Sequence, residues 1–305
     1  MLQRLNRSRA ARVTASLTLT AVFFVGCISS EFGVSDTADA GTTPNDSSDS
    51  ASTPPEEDTG TTTTATDATV TPTPDASDDA ALDSGPPPPA TMVTISTPSN
   101  GSFSIDATEV TQAQYLAFLV AKAGDVSGQP TPRCDFNVNY TPSGALWDPA
   151  TRPNVPVTSV DWCDARAYCA WAGKHLCGGF KGAALAYADS DKPGTSQWMY
   201  ACTNAGVQLY PYGTTENKAA CNINRPDGGV VQEAGSFPAC IGGFPGTYDM
   251  VGNATEWIDA CDTGSCVILG GSWAFPNTGS VACGQFTAAG PSYIAPDLGF
   301  RCCKD

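Results

Sequence analysis

Residues 92–305 of this 305-residue chain read as an α+β domain that is poor in regular secondary structure and rich in disulfides. Three observations point there. First, Tyr248-Asp-Met-Val-Gly-Asn-Ala-Thr-Glu-Trp257, Leu269-Gly-Gly-Ser-Trp273 and Leu298-Gly-Phe-Arg-Cys-Cys303 are short blocks in which glycine permits tight turns and tryptophan fills the space beside them. Second, twelve of the thirteen cysteines fall in this segment, an even number, as a disulfide framework requires. Third, a strand-like alternation runs directly into a helix-like periodicity.

The chain before this domain has two parts. Met1 to Gly26 has the layout of an export signal: Arg4, Arg7, Arg9 and Arg12 are followed by an apolar run, Val13 to Val25, too short to span a bilayer as a helix. Phe24-Val-Gly-Cys27 resembles a bacterial lipobox, which makes Cys27 the expected lipidation site; an ordinary secretory signal is the other reading. Ile28 follows it, not the Asp that favours inner-membrane retention, so attachment to the outer membrane is expected. Residues 27–91 form an acidic tether rich in Ser, Thr and Pro, with thirteen carboxylates, no Lys or Arg and few large apolar side chains. Such a segment buries too little apolar surface to offset its ordering entropy. Proline tracts such as Pro86 to Pro89 stiffen it further.

Within the domain, eighteen acidic residues face eleven basic ones. No clustered Lys and Arg are available for phosphates, so nucleic acid is excluded as a partner class. His175 is the only histidine, and Cys-x2-Cys pairs are absent, which argues against zinc.

Phe103 to Val110 alternates apolar and polar residues as a half-buried strand does. Thr111-Gln-Ala-Gln114 has the form of a capping box opening a helix with Tyr115, Phe118 and Leu119 on one face. A second helix is expected after Asp161 as N-cap, with Ala165, Tyr168, Cys169 and Ala172 on one face and Gly173 as its stop. His175 to Thr195 reads as loop. Ser196 to Cys202 reads as a short helical turn anchored by Trp198, and beyond Tyr210 strands are short.

Several stretches carry a family resemblance: Phe103-x-Ile-Asp-x-Thr-Glu-Val-Thr-x-x-Gln-Tyr115, Pro156 to Lys174, Trp198-x-Tyr-Ala-Cys202, Tyr210-Pro-Tyr-Gly213, Tyr248 to Asn253, Gly270-Gly-Ser-Trp273 and Gly299-Phe-Arg301. In this order the domain resembles the formylglycine-generating enzyme, or sulfatase-modifying factor, family. The resemblance implies a C-type-lectin-like α+β fold, generally calcium-stabilised. It also implies an enzyme that oxidises a sulfatase cysteine to formylglycine with oxygen and a copper-binding cysteine pair.

Carried over position by position, the chemistry does not follow the scaffold. The two active cysteines of the family correspond to Phe275 and Ser280, and neither supplies the soft thiolate that copper(I) needs. Val281, Ala282 and Gln285 stand where the family has an arginine-rich stretch, and Thr255 replaces a pocket tryptophan. Ser272 is the remaining pocket candidate; without a base beside it, its simplest role is to hydrogen-bond a turn. Cys261 and Cys266 imitate the family spacing but flank a turn sequence, so a local disulfide is expected there. The resemblance implies the pairs Cys169–Cys302 and Cys202–Cys283; proximity suggests Cys221–Cys240. The pairing of Cys134, Cys163, Cys177 and Cys303 stays open.

For calcium, the resemblance maps one site onto the Asp249 and Glu256 side chains with the Gly252 and Ala254 carbonyls. A second maps onto Asn222 and the Ile223 carbonyl, with Asp227 or Glu233 as its acidic partner. Oxygen donors of this kind suit a hard cation. Copper is not expected. Trp162, Trp171, Trp198, Trp257 and Trp273 read as core, and His175 as a surface residue. Two functions follow: an extracytoplasmic binding module whose loops, around Pro276 to Pro296, take a protein or glycan ligand; or a family oxidoreductase with formylglycine-generating or altered metal-dependent chemistry. One histidine cannot build the triad of an iron-dependent sulfoxide synthase.

Overall fold

The structure is a computed structural model that describes residues 90–99, 101–223, 229–274 and 281–305. The export signal, Cys27 and almost all of the tether lie outside the described residues, as do Asp227, Phe275 and Ser280.

Regular elements are short, as expected, and they form two four-stranded sheets. In the first, β1 (Met92–Thr97) and β2 (Gly101–Asp106) make an antiparallel hairpin. The C-terminal strand β8 (Cys302–Lys304) pairs with β2 on one side and with β3 (His175–Leu176) on the other. In the second sheet the order is β6 (Phe286–Ala289), β5 (Cys266–Leu269), β4 (Thr255–Cys261) and β7 (Leu298–Phe300). All its pairings are antiparallel except β4 with β7. Arg301 alone separates β7 from β8, so the chain passes from one sheet to the other in a single residue.

Three helices are described, and the first two open as the sequence dictates. Thr111 caps α1 (Gln112–Lys122) in a reciprocal capping box with Gln114, and Asp161 caps α2 (Trp162–Trp171) in another with Asp164. Gly173, at φ +69°, takes the left-handed conformation that ends α2. Ser196 caps α3 (Gln197–Cys202), which buries Trp198 completely.

Three expectations need correcting. The strand read from Phe103 to Val110 ends at Asp106, because beyond it the chain turns away to the second sheet, where the Val110 amide donates to the Phe300 carbonyl. The strand β1 was not anticipated. The stretch read as loop from His175 to Thr195 contains β3, a two-residue strand too short to show a period, and two single 3₁₀ turns, Phe180–Gly182 and Tyr187–Asp189.

Two apolar clusters hold the sheets and helices together. One gathers Ile95, Phe103, Ile105, Trp198, Met250, Ile258 and Leu269. The other gathers Tyr115, Phe118, Tyr168, Trp257, Leu298 and Phe300. Gly299 is required at its position: an added Cβ would sit 2.5 Å from the Val157 carbonyl oxygen. Six disulfides staple the structure. Cys169–Cys302, Cys202–Cys283, Cys221–Cys240 and Cys261–Cys266 form as expected. Those left open resolve as Cys134–Cys163 and Cys177–Cys303. The strand β8 is therefore tied by adjacent residues to α2 and to the chain just after β3. Among the described residues no helix is long and apolar enough to cross a membrane.

The capping box of α2 is built from two carboxylates, and burial governs both. Each accepts the other residue's amide, and Asp164 also accepts from Asn137 Nδ2 at 2.7 Å. Loss of water raises the carboxyl of Asp161 to about 6. Loss of water, reinforced by the Asp161 charge, raises that of Asp164 to about 8. A carboxyl whose affinity for protons is higher folded than unfolded (about 3.9) favours the folded state at low pH and loses that advantage as pH rises to its folded value. Thermal stability should therefore fall between pH 5 and pH 8. Asp164→Asn should flatten that slope in melting curves taken across this range; an unchanged slope would show that the capping pair is not its source.

Candidate functional site

The centre of the molecule is a buried cation among carboxylates. Arg301 is fully buried, and its guanidinium spends its donors on groups from several parts of the chain. Nε donates to Glu256 Oε1 and Oε2 at 2.9 and 2.8 Å, and Nη2 donates to Oε1 at 2.7 Å. Nη1 donates to the Asp106 carbonyl at 3.2 Å, and Nη2 to the carbonyls of Tyr248 and Asp249 at 2.9 and 3.2 Å. The Trp198 indole completes the set by donating to Glu256 Oε2 at 2.7 Å. Both oxygens of Glu256 thus accept two hydrogen bonds each, the capacity of a carboxylate oxygen.

The loop 248–254 wraps this centre. It is pinned by three backbone bonds: Asp249 to the Cys240 carbonyl, Gly252 to the Gly270 carbonyl and Asn253 to the Asn222 carbonyl. Asp249 and Asn253 sit at φ +54° and +55°, a conformation that Asp and Asn tolerate better than other side-chain-bearing residues. Gly252, at φ +78°, leaves no space for a Cβ, which would lie 2.8 Å from the Asn222 carbonyl oxygen. Asn253 acts as a connector. Its Nδ2 donates to Glu109 Oε1 at 3.0 Å, and its Oδ1 accepts from Asn222 Nδ2 at 3.0 Å and from the Gln232 amide at 2.9 Å.

Three oxygens in this region are buried without a hydrogen-bond partner: Glu109 Oε2, Asp249 Oδ1 and Asn222 Oδ1. The other Asp249 oxygen accepts from the Gly235 amide at 2.6 Å. Burial raises the carboxyl of Asp249 to about 6. It raises Glu109 well above the ordinary carboxylate range, with the nearby Asp249 charge adding to the effect. Polar oxygens left this way are costly unless something binds them.

These contacts sort the residues expected to bind calcium. Asp249 and Asn222, one from each expected site, both offer a buried carboxylate or amide oxygen that no donor uses, which is the chemistry a hard cation takes up. Glu256 differs: it is the counter-ion of Arg301, and its lone pairs are spent. Glu233 lies exposed. Among the described residues no three His, Cys, Asp or Glu side chains converge closely enough to hold a metal by themselves, so carbonyls such as those of Gly252, Ala254 and Ile223 would have to complete any coordination shell.

The glycine-tryptophan block lies against the same loop. An added Cβ at Gly270 would meet the Met250 carbonyl at 2.9 Å, and the Trp273 amide donates to the Asn253 carbonyl. Ser272 is fully buried, and its hydroxyl accepts from the Ala274 amide, the turn role expected of it. It also donates to Asp297 Oδ2 at 2.5 Å, a partner that the sequence did not reveal. Asp297 is held in turn by Thr255, whose amide and hydroxyl both donate to its carbonyl at 2.8 Å. The Trp273 indole nitrogen is buried without a partner. Every one of the twelve domain cysteines is in a disulfide.

A family model described as the sulfatase-modifying factor enzyme 1-like domain matches residues 59–305. The chain belongs to this family. Curated relatives agree. The chain is 32% identical over 165 residues to the inactive C-alpha-formylglycine-generating enzyme 2 of Bos taurus, covering 48% of this chain and 49% of that one. It is 31% identical over 252 residues to the formylglycine-generating enzyme of Streptomyces coelicolor, covering 67% and 78%. The chain thus spans about half the length of the first relative and more of the second. Among solved structures, PvdO from Pseudomonas aeruginosa superposes with a TM-score of 0.46 at 23% identity, over 71% of this chain and 92% of that one.

Glu109, Arg301, Asn253 and Asp297 are the residues of this region to which the sequence alone gave no role. Arg301 carried the one available hint, a lone cation between Phe300 and two cysteines. Replacing it with Met should cost about 3–5 kcal/mol, the range for removing one partner of a buried pair, because Glu256 and four backbone carbonyls, those of Asp106, Ala107, Tyr248 and Asp249, lose a donor. Urea denaturation measures this, and a loss below about 1 kcal/mol would mean that the pair is not what joins the sheets.

Proposed function

We propose that this protein is a lipoprotein of the cell envelope, attached to the outer membrane through Cys27, whose domain keeps the sulfatase-modifying factor scaffold without its copper-cysteine oxidase chemistry. The domain then serves as an extracytoplasmic binding module for a protein or glycan. The observation that carries this reading is the disulfide framework: with all twelve domain cysteines paired, no thiolate is left for copper(I). Phe275 and Ser280 at the family's two cysteine positions point the same way, and so does the similarity to a relative named as inactive.

Calcium is part of the proposal as a structural ion. Asp249 with the Gly252 and Ala254 carbonyls would hold one, and Asn222 with the Ile223 carbonyl another. Their unpartnered buried oxygens support this, and bound calcium would supply charge neutralisation beside Glu109 and Asp249. An ion present at a hundred times its dissociation constant stabilises the fold by about 2.7 kcal/mol. Chelation should therefore lower the melting temperature, and added calcium should restore it. The Asp249→Asn and Asn222→Ala variants should show a smaller chelation shift; equal melting with and without chelator would exclude the ion.

The second reading, a formylglycine-generating oxidoreductase, draws on the similarity to the Streptomyces coelicolor enzyme over more than three quarters of that protein. The two separate in one assay, in which the protein is incubated with copper, oxygen and a cysteine-bearing sulfatase peptide. The binding-module reading expects the peptide cysteine to survive unchanged by mass spectrometry. Conversion to an aldehyde would overturn it.

A further inference from the structure

The six disulfides differ in their surroundings. Five join cysteines 19 to 133 positions apart, whereas Cys261–Cys266 spans five. Eleven of the twelve domain cysteines are buried, and the exception is the half-buried Cys261. A bridge that closes so short a loop constrains the unfolded chain least.

The strands that it joins have other support. Glu256 pairs with Leu269 and Trp257 with Ile268 between β4 and β5, and β6 holds Cys266 from its other side opposite Ala289. Across the turn, the Asp262 amide donates to the Ser265 carbonyl at 2.9 Å. Opening the bond therefore leaves the hairpin in place.

A cation is fixed beside one of the two sulfurs. Arg133 Nη1 lies 3.7 Å from Cys266 Sγ, and Nη2 donates to the Asp262 carbonyl at 2.7 Å. Of the tryptophans read as core, Trp171 is 42% exposed, but Trp162 is buried, and its ring centre lies 5.7 Å from the Arg133 guanidinium. The Asp262 carboxylate is spent on the turn, its Oδ1 accepting from the Gly264 and Ser265 amides at 2.8 and 2.7 Å. A guanidinium so close to a sulfur stabilises a thiolate there. Thiol–disulfide exchange is fastest when attack falls on an accessible sulfur and a stabilised thiolate leaves. The two cysteines divide these roles: solvent reaches Cys261, and Cys266 faces the cation.

We propose that Cys261–Cys266 is a thiol–disulfide exchange site that takes an external thiol at Cys261. The incoming thiolate bonds to Cys261 Sγ, the bond between the two Sγ atoms breaks, and its electron pair leaves on Cys266 Sγ beside Arg133. A second thiolate then displaces Cys261 from the mixed disulfide, and water protonates the thiolate that leaves. Two external thiols are thereby oxidised to a disulfide as the cysteine pair is reduced. This site does not depend on the binding-module reading: the pair is oxidised at rest, and neither copper nor a sulfatase peptide takes part.

To test it, the full-length oxidised protein is incubated with reduced glutathione, trapped with N-ethylmaleimide at intervals and peptide-mapped without further reduction. Glutathione should appear on Cys261 and maleimide on Cys266 before any other cysteine of residues 92–305 reacts. Arg133→Gln should slow this step about tenfold, and Arg133→Lys, which keeps the charge, should slow it less. Glutathione on Cys266 with the thiol on Cys261, earlier or equally fast opening of another disulfide, or an unaltered rate in Arg133→Gln would each overturn the proposal. The order and place of attack are read on the unmutated protein, so they decide the matter whether or not the Arg133 variants fold.

Discussion

Arg301 is the one residue between a strand of the first sheet and a strand of the second, and its guanidinium ties together the ends of elements otherwise far apart in sequence. It joins Glu256 on β4, the end of β2 at Asp106 and the turn at Tyr248 and Asp249. A planar fork with five donors suits this junction, since a lysine would have three donors and no fixed plane. Burial makes the arrangement demanding: a guanidinium out of water must meet both its charge and its hydrogen-bonding requirements. Trp198 satisfies what remains of Glu256, and the loop 248–254 closes around the pair.

From that centre the consequences run outward. The carboxylates of Glu109 and Asp249 lie close enough to Arg301 to feel its charge, but desolvation outweighs it and both stay raised. A single guanidinium, already committed to Glu256, leaves Glu109 and Asp249 without an ion-pair partner of their own among the described residues. The Ser272 hydroxyl, by contrast, is satisfied by hydrogen bonds within the chain. Ser272 is tied to Asp297, and Asp297 to Thr255, the residue standing in place of a family tryptophan. The family scaffold is thus maintained by contacts that do not depend on a reactive cysteine.

Much of this was legible in the sequence where local chemistry is decisive. The capping boxes at Thr111 and Asp161, the helix stop at Gly173 and the buried turn at Trp198 each depend on residues within a few positions of one another. The disulfides Cys169–Cys302 and Cys202–Cys283 followed from family resemblance, and Cys261–Cys266 from the turn between them. Other features were hidden because their partners are remote. Asp297 lies 25 residues from Ser272, Glu109 lies 144 from Asn253, and β3 has two residues, too few for any period. Glu256 is the instructive case: the family resemblance implied a calcium ligand there, while the partner the structure gives its carboxylate is Arg301, 45 residues on and not visible from the local sequence.

In the proposed reading, the domain keeps the family scaffold with every cysteine in a disulfide. Alkylation of the native, unreduced protein followed by mass mapping, with copper(I) titrated in parallel, puts this to the test. No cysteine of residues 92–305 should be alkylated before reduction, and copper(I) should find no thiolate site there. Alkylation of Cys261 and Cys266, with copper(I) binding that protects them, would contradict it.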